Sequence, residues 1–190
     1  MMAFYFLVGS FCYFYIEIVD RCNNRCYNSR YKIRYRTKIQ RKTWYIIMDY
    51  LKALVEEIHS VVVATVDETG HPHTAVMDMM WEDGKTVYFL TADFKSLYKR
   101  LKEDGRVAVT GMIQGVGTMD RKSISLTGQV EWIGKEHLEE LLEANPYMYD
   151  IYPTEERRSH LQVFRFKKAV GDYFDLTQLP PHQARFEIEV

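Results

Sequence analysis

From residue 50 onward the apolar positions follow a regular pattern whose period changes several times. Leu51, Leu54, Val55 and Ile58 stand at i, i+3, i+4 and i+7, the stripe of a helix. VVVATVD (61–67) is a β-branched run of strand length. ETGH is a turn in which Gly70 is free to take positive φ. PHTAVMDMMW (72–81) reads as a second strand, with its proline at the start where a missing N–H does least harm. EDGK (82–85) is a hairpin turn with an Asp-Gly pair, and TVYFLT (86–91) is a third strand. Together these segments predict a three-stranded antiparallel meander over 61–91.

FKSLYKRLKEDG (94–105) returns to helical spacing. Phe94, Leu97, Tyr98 and Leu101 share its inner face, Lys99, Arg100 and Lys102 read as its exposed face, and Gly105 stops it. RVAVTGMIQG (106–115) and KSISLTGQVEWI (122–133) are two long strands. GKEHLEELLEANP (134–146) is a helix ended by Pro146. LQVFRFKKAVGDYFD (161–175) is the last long strand, with a bulge or bend expected near Gly171, and RFEIEV (185–190) reads as a short edge strand. Six strands with few, short helices predict a mainly β fold: a six-stranded antiparallel barrel with flanking helices, in which closure removes sheet edges. Alternating strand–helix units, G-x-G-x-x-G and G-x4-G-K-[ST] are all missing, so a Rossmann-type or P-loop nucleotide fold is excluded.

Charge divides the chain in two. Residues 1–47 hold nine Lys/Arg and two Asp/Glu, a net of +7, against a formal −1 for all 190 residues. They also hold all three cysteines, Cys12, Cys22 and Cys26. The uncharged apolar run AFYFLVGSFCYFYI (3–16) is shorter than the ~20 residues a membrane span needs. It lacks the basic start and small-residue cleavage site of a signal peptide. The C-x3-C pair Cys22/Cys26 has no second ligand pair to complete a metal site. We read 1–47 as a poorly structured extension or as sequence upstream of a misassigned start, and 48–190 as the functional domain, with no nucleic-acid or membrane partner. That domain contains no cysteine, which suits the cytoplasm.

Chemistry concentrates in YFLTADFKSLYKRL (88–101), where a strand runs through a short loop into a helix. The start of a helix offers unpaired N–H groups and the positive end of its dipole. Thr91, Lys95 and Ser96 add two hydroxyls and a cation, the elements of a phosphate cradle. On the preceding strand His71 flanks the turn and His73 sits at the strand edge. Asp78 is anomalous among Met77, Met79 and Met80: it either alternates outward or pairs with a cation. No G-x-S-x-G or H-E-x-x-H motif is present, so hydrolysis and covalent catalysis have no visible means, no catalytic residue or metal ligand is assigned, and a cofactor has to carry any hard chemistry.

Three pieces in order, A-T-V-D-x-x-G-x-P (64–72), Y-F-x-T-x-x-x-K-S (88–96) and x-G-x-V (127–130), make the chain resemble the FMN-binding split barrels related to pyridoxamine 5′-phosphate oxidase. The resemblance covers roughly residues 50–170. It implies a split barrel that dimerises with itself and binds FMN at the subunit interface. By the same resemblance, Ala75, Val76 and Met77 line the flavin, Leu90 and Thr91 contact it, Lys95 and Ser96 hold its phosphate, and Ser123 reaches it from the partner. The chain departs from the oxidase proper, which has an arginine where Ala75 stands and a glutamine near the position of Ser123. His182 and Arg185 are too isolated to stand for its substrate-binding set. These departures imply an oxidoreductase with another small substrate. The rivals are a non-enzymatic flavin binder or electron carrier, the same barrel holding haem or a deazaflavin through His71 or His73, and a barrel without cofactor.

Overall fold

The computed structural model describes residues 50–113 and 115–190. The readings made of residues 1–47, including Cys22 and Cys26 and the boundary at Met48, lie outside the described residues.

The first helical stripe is buried as expected, with Leu51, Leu54 and Ile58 all under 9% exposed. Its last turn, Ala53–Ile58, is π-helical rather than α, and it is closed by His59 at φ 56° and ψ −69°. Eight strands follow: β1 (Ser60–Val66), β2 (Pro72–Asp78), β3 (Trp81–Glu82), β4 (Val87–Ala92), β5 (Arg106–Ile113), β6 (Lys122–Gly134), β7 (Leu161–Asp175) and β8 (His182–Glu189). The helices are α1 (Ser96–Glu103), α2 (Leu138–Ala144), α3 (Met148–Ile151) and α4 (Glu155–Ser159).

The strands form one antiparallel sheet in the order β2-β1-β5-β6-β7-β4-β3, with β8 also paired to β7. The mainly β split barrel therefore stands, with two strands beyond the six expected. One is the two-residue β3. The other is the tail, longer than the short edge strand its sequence suggested: eight residues, paired along the second half of β7.

The meander expected over 61–91 does not form. β2 pairs with β1, but β4 crosses to β7, with Phe89 opposite Phe164. The reason lies in Met79 and Met80. Both are buried, at 0% and 3% exposure, and two consecutive inward side chains cannot belong to one alternating strand. β2 therefore stops at Asp78. The Asp-Gly turn instead joins β3 to β4, with Trp81 opposite Tyr88.

The inner face of the sheet carries the core. Val61 and Val63 of β1, Phe89 of β4, Ile124 and Leu126 of β6, and Phe164 and Phe166 of β7 are all under 3% exposed. The rings of Phe89 and Phe164 stack with centroids 5.7 Å apart. A second cluster, with Met80, Tyr88, Leu141, Leu142, Met148 and Leu161, seats α2 and α3 on the other side of β4. The register of β6 against β7 shifts twice, between Gln129 and Val130, where Lys167 of β7 is the extra residue, and between Trp132 and Gly134, where Ile133 of β6 is. The bulge expected near Gly171 falls at Lys167 and not at the glycine itself. That glycine pairs regularly with Leu126 and Phe186, and a Cβ there would lie 2.2 Å from the Phe186 ring, so the residue makes room for an aromatic side chain rather than a bend. Gly105 does end α1 as expected, at φ 70°. Among the described residues no helix is long and apolar enough to cross a membrane.

Candidate functional site

The sheet is split where it could have closed. Among the described residues, β2 has no strand on its outer edge, and β4 beyond Tyr88 has none on the side away from β7. A cavity of about 600 Å³ fills that gap, within the usual size range of small-molecule sites. Four pieces of chain wall it: Thr74–Asp78 of β2; Leu90 and Thr91 of β4; Lys95 with Ser96, Leu97 and Arg100 of α1; and Tyr147, Met148, Ile151 and Tyr152 around α3.

Seven of the eight residues expected to bind a cofactor, Ala75, Val76, Met77, Leu90, Thr91, Lys95 and Ser96, come together on this one cavity. Ser123 does not. It lies on the outer face of β6, opposite Met112 of β5 and Phe174 of β7. α1 begins at Ser96, and Lys95 is its cap in extended conformation with no side-chain bond to the helix start, so the first N–H groups and the two side chains are all available at the cavity edge. Phe94, expected on the inner helical face, precedes the helix and is 68% exposed.

Thr91 is the one residue of the cavity wall with an unpaired buried hydroxyl among the described residues. It is 4% exposed, and its Oγ1 is buried without a hydrogen-bond partner among the described residues. Leaving such a hydroxyl unpaired costs about 1–3 kcal/mol. Arg100 corrects the reading of an exposed basic face. Ser96 and Arg100 stand one turn apart on the same side of α1. The Arg100 Nε donates to Thr65 Oγ1 at 2.8 Å, which turns the guanidinium inward and half-buries it. Thr65 itself is buried on β1. Lys99 and Lys102 do remain exposed, with the Lys102 ammonium 4.1 Å above the Trp132 ring.

Asp78 pairs rather than alternating into solvent. Its Oδ1 accepts from Ser60 Oγ at 2.6 Å and its Oδ2 from the Tyr147 hydroxyl at 2.7 Å, with His59 Nε2 3.6 Å away. Burial pushes the Asp78 carboxyl up, but the hydrogen bonds of Ser60 and Tyr147 and the nearby His59 outweigh it and hold the group below the usual carboxylate range. Burial and the Asp78 carboxylate hold the Tyr147 phenol above its ordinary value. His71 and His73 lie outside the cavity, bound into the β1–β2 turn: His73 Nε2 is 2.9 Å from Asp67 Oδ2, and His71 Nδ1 is 2.6 Å from Thr69 Oγ1. Among the described residues no group of three His, Cys, Asp or Glu could hold a metal ion.

Sequence reasoning missed Arg100, Tyr147, Met148, Ile151 and Tyr152. A local signal existed for Arg100, which stands four residues after Ser96. None existed for α3, whose contact with β2 joins residues 69 apart in the chain.

Comparison with known proteins agrees with the fold. The pyridoxamine 5′-phosphate oxidase family matches residues 47–173. No curated protein matches the chain. Among solved structures, a NimC/NimA family protein from Clostridium acetobutylicum is similar at 20% identity and a TM-score of 0.63, covering 77% of this chain and 96% of that one. From the same organism, a pyridoxinephosphate oxidase family protein related to general stress protein 26 is similar at 21% identity and a TM-score of 0.54, covering 75% and 94%. A heme binding protein from Mycobacterium smegmatis is similar at 12% identity and a TM-score of 0.56, covering 73% of this chain and 57% of that one. At these identities the likeness is one of fold.

Proposed function

The chain belongs to the pyridoxamine 5′-phosphate oxidase family of split barrels, and from that premise we propose that it is a cytoplasmic, dimeric flavoprotein that binds FMN in the split and acts as an oxidoreductase on a small substrate. The observation that carries the reading is the cavity itself. One end joins two cations, Lys95 and Arg100, to the start of a helix, and Leu90 and Thr91 of β4 border the middle. A phosphate with close to two negative charges suits the first, and the polar edge of a flavin suits the second. Ala75, Met77, Met80, Leu90 and Met148 supply an apolar wall for a flat ring system.

When bound, FMN supplies hydride or electron transfer. The residues do the rest. Lys95, Ser96 and Arg100 fix the anionic end, Thr91 orients the ring edge, and α3 covers the cavity on the side of Ile151 and Tyr152. None of the described residues lining the cavity is a histidine, which favours FMN over haem for this site even though one of the similar structures is of a heme binding protein.

The dimer is supported by the outer sheet face. Val76, Val62 and Met112 are 74%, 43% and 42% exposed, and Ala64, Ala108, Thr110, Ser125 and Thr127 stand among them, with the charged Asp78 and Arg106 at the margins. Ser123 lies on that face, where it can reach a second copy. A second copy of the chain is the occupant we assign to it.

The absorbance spectrum of the purified protein tests the reading, together with titration by FMN. A yellow protein that quenches FMN fluorescence and releases FMN on denaturation is expected. Lys95→Ala with Ser96→Ala should weaken FMN binding by about 100-fold or more with an unchanged Tm, since each charge-assisted bond contributes about 1.5–3 kcal/mol and two are removed. Affinity equal to wild type in that double variant would remove the phosphate from α1. Oxidation of a reduced nicotinamide by the loaded protein separates an enzyme from a carrier.

A further inference from the structure

A second cavity, of about 490 Å³, shares only Met80 with the one in the split. Three parts of the chain wall it: the π-helical turn with Glu56 and the His59 that closes it, β3 with Trp81 and Glu82, and the end of α2 with Asn145. Asn145 is 4% exposed, and all but one of its polar groups are engaged. Its N–H donates to the Leu142 carbonyl at 3.2 Å, and its own carbonyl accepts from the Met148 N–H at 3.0 Å. Its Nδ2 donates to the Met80 and Leu141 carbonyls, each at 2.8 Å. Carbonyls can only accept, so these two contacts fix which way the amide is turned and use both of its hydrogens. That leaves Oδ1, which accepts from none of the described residues. It is not enclosed either, since among the described residues Thr91 Oγ1 is the one buried side-chain polar atom without a partner. Oδ1 therefore reaches open space, and the space that Asn145 lines is this cavity. An acceptor in such a place is met by a donor that enters the cavity, and the surrounding charge decides which donor.

That charge is negative. Glu56 and Glu82 lie in the wall, and neither has an ion-pair partner among the described residues. Glu82 Oε2 accepts from the Gly84 N–H at 2.6 Å, which holds the carboxylate in place without neutralising it. None of the described lining residues is a lysine or an arginine. His59 offers no free donor: its Nδ1 is 3.2 Å from the Val55 carbonyl and its Nε2 3.0 Å from the Tyr147 hydroxyl. Trp81 brings an indole to the wall, the side chain that attracts cations best, packed 4.9 Å from the Tyr88 ring and 5.0 Å from the His137 ring. A coordinated metal ion does not suit the place, because no group of three His, Cys, Asp or Glu is gathered among the described residues. We propose that this cavity binds a primary ammonium on a short alkyl chain, with Asn145 Oδ1 accepting one of its hydrogens, Glu56 and Glu82 balancing its charge, and Trp81, Val55 and Met80 packing against the chain. An ammonium carries three donors and no acceptor, which matches a wall whose open polar groups are all acceptors. A quaternary ammonium has the same charge but no N–H, and leaves Oδ1 unmet. The inference stands apart from the FMN reading.

The test titrates the full chain with butylamine at neutral pH, where the amine is charged, and reads binding by calorimetry and by nitrogen–proton correlation spectra. One butylamine should bind per chain and shift the indole resonance of Trp81, assigned by its loss in Trp81→Phe. Tetramethylammonium should bind about 10-fold more weakly or worse, because it cannot donate to Oδ1. That comparison is made on the wild-type chain and depends on no variant. Glu56→Gln with Glu82→Gln keeps the size of both side chains and an oxygen for the Gly84 N–H. The pair should keep the wild-type Tm and weaken butylamine binding by about 10-fold or more, since a hydrogen bond to a charged group is roughly twice as strong as a neutral one. Butylamine that leaves the Trp81 resonance unmoved, tetramethylammonium that binds as tightly as butylamine, or wild-type affinity in the folded glutamine pair would each overturn the site. FMN binding can succeed or fail without changing any of these results.

Discussion

Thr91 is the residue at which a binding site and a folded core make opposite demands. Its hydroxyl is buried in the cavity wall with no partner among the described residues, and valine has the same shape without the oxygen. If the hydroxyl exists for a ligand, Thr91→Val should leave the unliganded protein as stable as wild type or up to about 1 kcal/mol more stable, because an unsatisfied group is removed, yet weaken FMN binding by about 5–10-fold. Thermal melts with and without FMN read both halves, and a variant that lost stability while keeping its affinity would make Thr91 a packing residue. Asp175 shows the opposite design. It is buried on β7, its Oδ1 accepts from Thr177 Oγ1 at 2.6 Å and from the Thr177 N–H at 2.8 Å, and Gln178 donates to its other oxygen. The Thr177 hydroxyl first, and with it the Thr177 N–H and Gln178, bring its carboxyl down to about 2 against the opposing effect of burial. A carboxyl depressed in the fold contributes stability that is fully present above the ordinary carboxylate range and is lost as pH falls from there towards about 2. Urea midpoints should therefore decline between about pH 4 and 2, and Asp175→Asn should lose part of that slope.

At the scale of elements, what the sequence shows is what is local. The two-residue period placed β1, β4 and β5 within one or two residues, and Gly105 marked the end of α1. Thr91, Lys95 and Ser96 were legible because the strand, loop and helix that carry them are consecutive, whereas Ala75, Val76, Met77 and Leu90 came only from the family resemblance. Strand pairing was less legible. Nothing within 61–91 reveals that β4 prefers Phe164 across β7 to its neighbour β2; only the burial of both Met79 and Met80 does so, and burial is a property of the assembled core. α3 and α4 occupy a stretch, 147–160, too short and too polar for a 3.6-residue period to register, which is why Tyr147 escaped notice. Gly171 drew the expected bulge away from Lys167, since a glycine in a strand suggests a bulge and here marks close packing. Gly171→Ala puts a methyl 2.2 Å from the Phe186 ring, which itself stacks 4.8 Å from Tyr50. A loss of about 1–3 kcal/mol is expected from this overpacking, measured by urea denaturation. Pairing Gly171→Ala with Phe186→Leu should recover part of the loss, and no recovery would mean that the backbone rather than the ring sets the cost.

For the whole molecule, the proposed dimer and the proposed cofactor site are one question. The cavity opens beside β2, whose Thr74 and Val76 belong both to its wall and to the outer face that continues through Val62, Ala64, Ala108 and Met112. Ser123 sits on that face and outside its own protomer's cavity. If a second copy covers the face, each site is completed by the other protomer, and FMN affinity must depend on protein concentration, because ligand binding and association are linked. Val62→Glu with Met112→Glu places like charges at the centre of the face, at positions already 43% and 42% exposed, so the fold of a single chain has no reason to fail. Light scattering should then report a monomer with a Tm close to that of the dilute wild type, and FMN affinity should fall by about 10-fold or more, because a site built from two protomers loses one wall. The Lys95→Ala/Ser96→Ala protein gives the converse: weak FMN binding on an intact dimer. A charged-face variant that becomes monomeric yet binds FMN as tightly as wild type would confine the site to one chain and remove Ser123 from it.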